Sequence, residues 1–207
     1  MYADLLEDEV IGKPEPDQAR VKKFSDVLTS ESQRLARLIN NVLNFSKAQE
    51  QKINLDPTVN VVDDLIYQTL RSFDAAFAAK HIEFDLQLNA QQAVMVDPQV
   101  VEQVLYNLLS NIEKYAAHGK LARISSSWVD GYTQIIVSDA GPGVARKSRN
   151  DIFKPFVRGS TALTEGVSGT GIGLSIAKHL CQLHGGELSL QDNNSVGAHF
   201  LVRLKTP

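Results

Sequence analysis

Apolar residues in the first quarter of the chain recur at alternating spacings of three and four. The repeat begins at Val21 and includes Phe24, Leu28, Leu35, Leu38, Val42 and Phe45, with Glu31 as its one charged member. It predicts a long helix from about Asp17 to Gln51 whose apolar seam packs against other helices. A shorter helix is predicted over Tyr2–Glu9, and the prolines Pro14 and Pro16 separate the two helices. Residues 1–51 therefore read as a helical hairpin arm.

The shorter helix covers only part of the seam, so a hairpin alone would leave apolar surface in water. We therefore expect the arm to form a homodimer. The alternative is a long helix that folds back over the globular part of its own chain.

From residue 52 onward, helical and strand-like patterns follow one another. The predicted elements are a short strand and turn at Lys52–Pro57, a helix at Val61–Lys80 capped by Asn60, strands at Ile82–Leu88 and Ala93–Val96, a helix at Asp97–Ala116, strands at Arg123–Val129 and Tyr132–Ser138, a helix ending at Leu183, and strands at Glu187–Gln191 and Val196–Leu204. This order predicts an α+β domain over residues 52–207. One mixed, mostly antiparallel sheet would carry three helices on one face.

The helix at Asp97–Ala116 carries polar side chains beside a buried stripe. Asp97 is a suitable N-cap, and Val101, Leu105, Leu108, Leu109 and Ile112 form the stripe. Asn107, Asn111 and Lys114 share one flank of the helix. Amide oxygens bind hard cations and an ammonium group binds phosphate, so the flank suits a magnesium polyphosphate. A solvated helix flank is the open alternative.

Two glycine-rich stretches follow. Asp139 continues the inward face of a strand and precedes Ala-Gly-Pro-Gly, where Gly141 and Gly143 allow close approach of a ligand; a simple exposed turn is the alternative. The second stretch is Gly169, Thr170, Gly171, Ile172, Gly173 and Leu174, which opens a helix and exposes backbone N–H groups to an anion. Its spacing matches neither a dinucleotide fingerprint nor a P-loop. Between the two stretches lies a long loop with Arg158, which either reaches phosphate or stays on the surface.

Composition and charge exclude several classes. The chain has 207 residues, 43% hydrophobic and 22% charged, as is typical of a globular protein. Its net charge of −3 gives no basic surface for nucleic acid. No stretch is long and apolar enough to cross a membrane. The single cysteine, Cys181, lies in an apolar helical pattern, which fits a buried thiol in a reducing, cytoplasmic setting.

Four stretches in order, NLLSNIEKY, DAGPG, IFKPF and GTGIGL, resemble the N box, first glycine box, F box and second glycine box of sensor histidine kinases. The segment Val21–Gln51 also resembles the second helix of that family's dimerisation and phosphoacceptor region. The resemblance implies a Bergerat-type ATP-binding α/β sandwich, with ATP and Mg²⁺ as cofactors. It implies a response-regulator receiver domain as partner.

The resemblance also assigns roles to single residues. Asn111 matches the asparagine that holds magnesium, and Asn107 the one a turn earlier. The remaining matches are Lys114 and Tyr115 beside phosphate and adenine, Asp139 with Gly141 and Gly143 at the adenine amino group, Phe153 and Phe156 in the F box, and Gly169, Thr170, Gly171, Ile172, Gly173 and Leu174 under the phosphates. Arg158 would lie near phosphate.

Two departures qualify the resemblance. Ile112 stands where the family has a small residue, and no histidine is followed by an acidic residue and Arg/Lys-Thr-Pro. The phosphoacceptor histidine is therefore expected upstream of residue 1, in a longer parent protein that could be anchored in the inner membrane. This region alone is then not expected to autophosphorylate.

Three functions remain at this stage: phosphoryl donation to that histidine, ATP hydrolysis, or docking of a response regulator without nucleotide turnover. Related hydrolases carry a glutamate as general base where this chain has Asn107, which favours the kinase.

Overall fold

A computed structural model describes residues 2–11, 17–29, 32, 54–157, 171–192 and 196–207. The chain divides into two compact units, Met1–Ser46 and Lys47–Pro207. No helix among the described residues has both the length and the apolar character needed to cross a membrane.

The first unit begins with two helices, α1 at Tyr2–Val10 and α2 over residues 18–29. The Asp17 carboxylate accepts hydrogen bonds from the backbone amides of Ala19 and Arg20 at 2.9 and 3.3 Å, so α2 begins where the sequence predicts. Glu9 of α1 is buried and accepts from the Asp17 amide and the Arg20 guanidinium, both at 3.3 Å. The rest of the predicted long helix, with most of its seam, lies outside the described residues.

Within its described residues, the second unit contains four α-helices and seven strands. The helices are α3 at Val62–Arg71, α4 at Asp74–Ala79, α5 at Pro98–Asn111 and α6 at Gly173–Leu183. The strands are β1 at Thr58–Val61, β2 at Glu83–Asn89, β3 at Ala93–Val96, β4 at Leu121–Val129, β5 at Tyr132–Asp139, β6 at Glu187–Leu190 and β7 at His199–Lys205.

The strands form two sheets, where the sequence predicted one. The larger has the order β2-β4-β5-β7-β6, and its only parallel pair in the described part of the chain is β2 with β4. β1 and β3 form a separate antiparallel ribbon. Alternation of apolar and polar residues identifies each strand but does not reveal which strand it pairs with. The sequence pattern alone therefore could not show that β1 and β3 form a sheet of their own.

Two predictions around α3 are wrong. Asn60 does not cap the helix, because it pairs with Val94 inside β1 and its side-chain amide donates to Thr58 Oγ1 at 2.8 Å. The single predicted helix at Val61–Lys80 is interrupted between α3 and α4. Phe73 lies at the break, is only 3% exposed, and packs against Phe77 and Tyr106 with ring centroids 5.5 and 5.1 Å apart.

Helix α5 crosses the core of the second unit. Its predicted stripe is buried throughout: Val101, Leu105, Leu108, Leu109 and Ile112 are each at most 4% exposed. Asp97 caps the helix as predicted, since Oδ1 accepts from the amides of Gln99 and Val100 at 2.9 and 3.3 Å. Past Asn111 the chain widens into a π-helical turn, Ile112–Ala116. Burial of the stripe therefore fixes which flank of α5 faces the glycine-rich segments.

Candidate functional site

The site is built where the end of α5 meets the loop after β5. A Cβ atom at Gly141 would lie 2.6 Å from the Cβ of Ala116, closer than side chains approach, so only glycine lets these backbones meet. Gly119 is equally confined, because its Cβ would lie 2.3 Å from the carbonyl carbon of Ala140. The loop after β5 is therefore pressed against the π-helical turn.

Lys80 anchors that turn from the outside. Its Nζ donates to the backbone carbonyl of Glu113 at 2.9 Å and to the Glu113 carboxylate at 3.1 Å. A π-helical turn leaves carbonyl groups poorly matched to the regular ladder, and a lysine can satisfy one of them. Lys114 and Tyr115 lie in the same turn, so Lys80 helps to fix the backbone that carries them.

Asp139 ends β5 at this junction and has an oriented carboxylate. Its Oδ1 accepts hydrogen bonds from the backbone amides of Gly141 at 2.8 Å and Ala198 at 3.3 Å. Burial raises the pKa of Asp139 above its ordinary value, while these two hydrogen bonds and the nearby His199 partly offset the rise. Because both of these hydrogen bonds end on Oδ1, Oδ2 is the oxygen left to accept a hydrogen bond from a ligand.

Gly197 allows this arrangement, and sequence reasoning missed it. A Cβ atom there would lie 1.7 Å from the backbone oxygen of Asp139. Gly197 has φ +96° and Gly143, whose Cβ would lie 2.8 Å from the Gly197 carbonyl oxygen, has φ +69°. The predicted strand at Val196–Leu204 actually begins at His199, because the preceding residues bend around Asp139. The available signal was a glycine just before a strand.

The start of α6 lies against α5 through Asn107. A Cβ atom at Gly173 would lie 3.0 Å from Oδ1 of Asn107. Asn107 is 7% exposed, and its buried Nδ2 has no hydrogen-bond partner within the described part of the chain. A buried amide N–H without an acceptor is costly, so it is suited to an oxygen supplied by a ligand. Gly173, the first residue of α6, and the side-chain amide of Asn107 therefore lie next to each other.

The F-box segment closes the other side of the α6 start. The backbone amide of Phe156 donates to the Gly171 carbonyl at 2.9 Å, and a Cβ atom at Gly171 would lie 2.9 Å from the Val157 carbonyl oxygen. Phe156 itself has φ 64° and is 66% exposed. Phe153 packs edge-on against Phe200 with centroids 6.4 Å apart. The two phenylalanines thus differ: Phe153 packs against the sheet, and Phe156 projects outward.

The remaining predicted residues are distributed as follows. Asn111 and Tyr115 are half-buried, Lys114 is exposed, Ile172 is buried and Leu174 is half-buried. Arg158, Gly169 and Thr170 lie outside the described residues. Among the residues that are described, no group of three or more His, Cys, Asp or Glu side chains could hold a metal ion.

A family model described as histidine kinase-, DNA gyrase B-, and HSP90-like ATPase matches residues 96–207. Among curated proteins, the chain is 32% identical to the sensor histidine kinase TmoS of Ectopseudomonas mendocina over 88% of its length, and 25% identical to the sensor protein SrrB of Staphylococcus aureus over 100%. It spans 19% of TmoS and 35% of SrrB, so these relatives are much longer.

Solved structures show the same fold. The histidine kinase AdeS of Acinetobacter baumannii has a TM-score of 0.73 at 22% identity, with 99% of this chain and 92% of that chain covered. The catalytic domain of histidine kinase ThkA has a TM-score of 0.63 at 27% identity, with 73% and 96% covered. The chain thus belongs to the family of histidine kinase-, DNA gyrase B- and HSP90-like ATPases, and it resembles the ATP-binding catalytic region of sensor histidine kinases.

Proposed function

We propose that this chain binds ATP with Mg²⁺ and donates the γ-phosphoryl group to a histidine outside residues 1–207, for relay to a response-regulator aspartate. The observation that carries the proposal is the oriented carboxylate of Asp139. The backbone amides of Gly141 and Ala198 hold Oδ1, and Oδ2 then accepts a hydrogen bond from the amino group of adenine. That bond compensates for part of the desolvation of the carboxylate.

The phosphates are assigned to the junction of α5 and α6. The unpartnered Nδ2 of Asn107 donates to a phosphate oxygen, and the helix start at Gly173 offers free backbone amides and a positive dipole end. Gly169, Thr170 and Gly171 precede that start and extend the cradle. Lys114 and Arg158 add positive charge. Ile172 and Leu174 pack the start of α6 beneath the proposed phosphate site.

Magnesium is assigned to Asn111, whose amide oxygen is a suitable ligand for a hard cation, with phosphate oxygens and water completing the shell. An ion held by Asn111 would supply positive charge to neutralise the transferring phosphoryl group. The protein contributes mainly by positioning the nucleotide and excluding water. Tyr115, in the π-helical turn, and Phe156 flank the nucleotide.

Asn107 favours phosphoryl transfer to a histidine over hydrolysis of ATP. A neutral amide cannot accept a proton from attacking water, so the site lacks a general base at the position where related hydrolases have one.

The arm, residues 1–51, is proposed to form a homodimer and to dock the receiver domain of a response regulator. Val21, Phe24 and Leu28 of α2 remain half-exposed within the single chain, and such an apolar row is suited to a helical partner. Residues 52–207 are proposed as the catalytic domain. Light scattering at tens of micromolar tests the dimer, and a monomer there would refute it.

Calorimetry with a non-hydrolysable ATP analogue tests the nucleotide site. Binding is expected for the parent chain with Mg²⁺ and is expected to weaken for Asn111→Ala more in the presence of Mg²⁺ than in its absence. Asp139→Asn is expected to abolish binding: with Oδ1 held by backbone donors, the new Nδ2 takes the place of Oδ2 and faces the adenine amino group donor to donor. Equal affinity of parent and Asp139→Asn chains would overturn the assignment.

Phosphoryl transfer needs a separate test, since binding alone does not distinguish the kinase from a docking module. A longer chain that includes the upstream histidine should become labelled from γ-³²P-ATP, whereas residues 1–207 alone should not. If the longer chain binds ATP with Mg²⁺ but never becomes labelled, the docking function is favoured. Phosphate release without labelling would instead favour the hydrolase.

A further inference from the structure

A groove of about 740 Å³ lies beside strand β6, apart from the residues assigned to the nucleotide. Its floor is residues 186–190. One wall is Lys178 and Gln182 of α6, and the other is Arg149, Asn150 and Phe153. The volume is within the range of ligand-binding clefts, so the groove is large enough for a ligand or a short peptide segment.

Among the described residues, the floor of the groove is an edge of the larger sheet with which no further strand pairs. β6 is the last strand in the order β2-β4-β5-β7-β6. Consecutive residues of a strand point to opposite faces, yet every residue of β6 lines this groove. A cavity that touches consecutive residues must run along the strand's edge, where unpaired backbone groups lie.

Pairing with β7 shows which backbone groups face the groove. The Gln191 amide donates to the His199 carbonyl at 2.8 Å, and in an antiparallel ladder hydrogen-bonded pairs alternate with non-bonded ones. Ser189 then bonds to β7, whereas Leu188 and Leu190 direct N–H and C=O toward the groove. Leu188 and Leu190 are about 7 Å apart along β6. An added strand has the same two-residue spacing between its outward-facing backbone groups, so it could pair with both residues.

The walls of the groove carry a positive charge. Arg149 forms an ion pair with Asp192, and Glu187 forms one with Arg203 at 3.5 Å. Lys178 instead lies over the ring of Phe153, with Nζ 4.8 Å from the centroid. No ion pair to a carboxylate is present for Lys178 among the described residues. A ligand with an acidic group would therefore meet an unneutralised ammonium beside open backbone donors and acceptors.

We propose that this edge binds an extended segment of a protein partner, which adds a strand next to β6 and places an acidic side chain at Lys178. Strand addition uses main-chain hydrogen bonds for affinity and side-chain contacts for selectivity. Charge complementarity at Lys178 selects an acidic segment. Symmetric pairing of β6 with a second copy is disfavoured, because it would bring a second ammonium group into the same groove.

The probe is the peptide acetyl-Gly-Val-Thr-Val-Glu-Val-Thr-Gly-amide, added to the ¹⁵N-labelled chain. Saturable shifts of the Leu188 and Leu190 amides are expected, and hydrogen exchange of both should slow at least tenfold. A peptide with Lys in place of Glu should bind at least fivefold more weakly. A version with N-methyl groups on alternate residues along its pairing edge should not bind. Without peptide, Leu188 and Leu190 should exchange faster than Ser189.

Matched variants separate charge from backbone pairing. Lys178→Glu should reverse the preference in favour of the Lys peptide, while Lys147→Glu, in the exposed turn Arg146–Ser148, should leave it unchanged. Leu190→Pro removes an outward N–H that an edge strand can spare, and Leu190→Ala keeps it; only the proline variant should lose binding. The charge reversal remains informative even if the proline variant does not fold.

Several outcomes would overturn the proposal. They are an absence of saturable shifts at millimolar peptide, equal binding of the Glu and Lys peptides, or shifts confined to the opposite edge at β2. Free glutamate that produced the same shifts would assign a small-anion site instead. Shifts that depend on chain concentration without peptide would assign contact between copies. Affinity for the ATP analogue is expected to be unchanged in Lys178→Glu, so this result is independent of the nucleotide site.

Discussion

A side chain at Gly197 would collide with Asp139, since its Cβ would lie 1.7 Å from the Asp139 backbone oxygen. The same close approach brings the Ala198 amide to Oδ1 of Asp139 at 3.3 Å. The carboxylate that we propose to bind the adenine amino group is therefore oriented by a glycine far away in the chain. Gly197 acts through Asp139, as a positioning residue.

Gly197→Ala is expected to weaken binding of the ATP analogue at least tenfold, about 1.4 kcal/mol, because the backbone must move away from Asp139. Calorimetry measures this loss. Gly131→Ala is the matched control: Gly131 also has positive φ, 78°, but no atom lies within 4 Å of its added Cβ. Both variants bear the cost of a left-handed residue, about 1–2 kcal/mol of stability. Only Gly197→Ala should lose affinity, and equal losses would refute the positioning role.

Asp139 also predicts how stability depends on pH. Burial raises its pKa in the folded chain above the ordinary 3.8. At pH values between the unfolded pKa and the raised folded pKa, the folded state binds the Asp139 proton more tightly than the unfolded state does. The contribution of Asp139 to the free energy of unfolding therefore falls as pH rises through this range. Above the folded pKa, the buried carboxylate destabilises the nucleotide-free domain by a constant amount.

Asp139→Asn should therefore be at least as stable as the parent in urea unfolding at about pH 7.5, and the difference should shrink toward pH 4. Asn retains an oxygen for the amides of Gly141 and Ala198, which Asp139→Ala removes. The alanine variant should be less stable than Asn at both pH values, because two amides lose their acceptor. A stability gap between parent and Asp139→Asn that widens on acidification would contradict the assigned shift.

Much of the fold could be predicted because its signals are local. The N-cap of α5 at Asp97, its buried stripe and the alternating strands β4 and β5 all follow from short-range patterns. The pairing of β1 with β3 could not, because it joins Asn60 to Val94 across α3. The break before Phe73 was also hidden, since the helical pattern continues through it while the aromatic core selects the bend.

The candidate site likewise contains residues with a local sequence signal and residues whose role depends on long-range contacts. Asp139, Asn107 and Gly173 stood out by type and spacing. Gly197 and Ala198 did not, because their importance depends on a contact with residues about sixty positions earlier. Lys80 was likewise an ordinary surface lysine in the sequence, and only the structure shows its bond to the Glu113 carbonyl.

Cys181 should be unreactive in the folded chain. It is fully buried, and burial raises the pKa of its thiol to about 12. Since the thiolate is the reactive species, iodoacetamide at about pH 8 should label the native chain far more slowly than the chain unfolded in urea. Mass spectrometry of the alkylated chain measures the difference. Native labelling at the rate of a free cysteine would show that α6 opens readily.

The N-terminus of α5 should respond differently to two substitutions at Asp97. Oδ1 caps the helix, whereas Oδ2 accepts from the Asp56 amide at 2.9 Å. Asp97→Ala loses both contacts and should lower the free energy of unfolding by about 1–2 kcal/mol or more. Asp97→Asn keeps an acceptor for the cap but presents an N–H to the Asp56 amide, so it should lose less.

His184 provides a second, independent test of the contacts at the N-terminus of α5. Its Nε2 accepts a hydrogen bond from the Asp97 backbone amide at 3.1 Å, and both residues are buried. His184→Ala leaves that amide without an acceptor and should cost about 1–3 kcal/mol, even though the Asp97 side chain is unchanged. Because the backbone amide and the carboxylate serve different partners, the losses for Asp97→Asn and His184→Ala should nearly add in the double variant. A double variant no less stable than either single one would mean that the two contacts act as one unit.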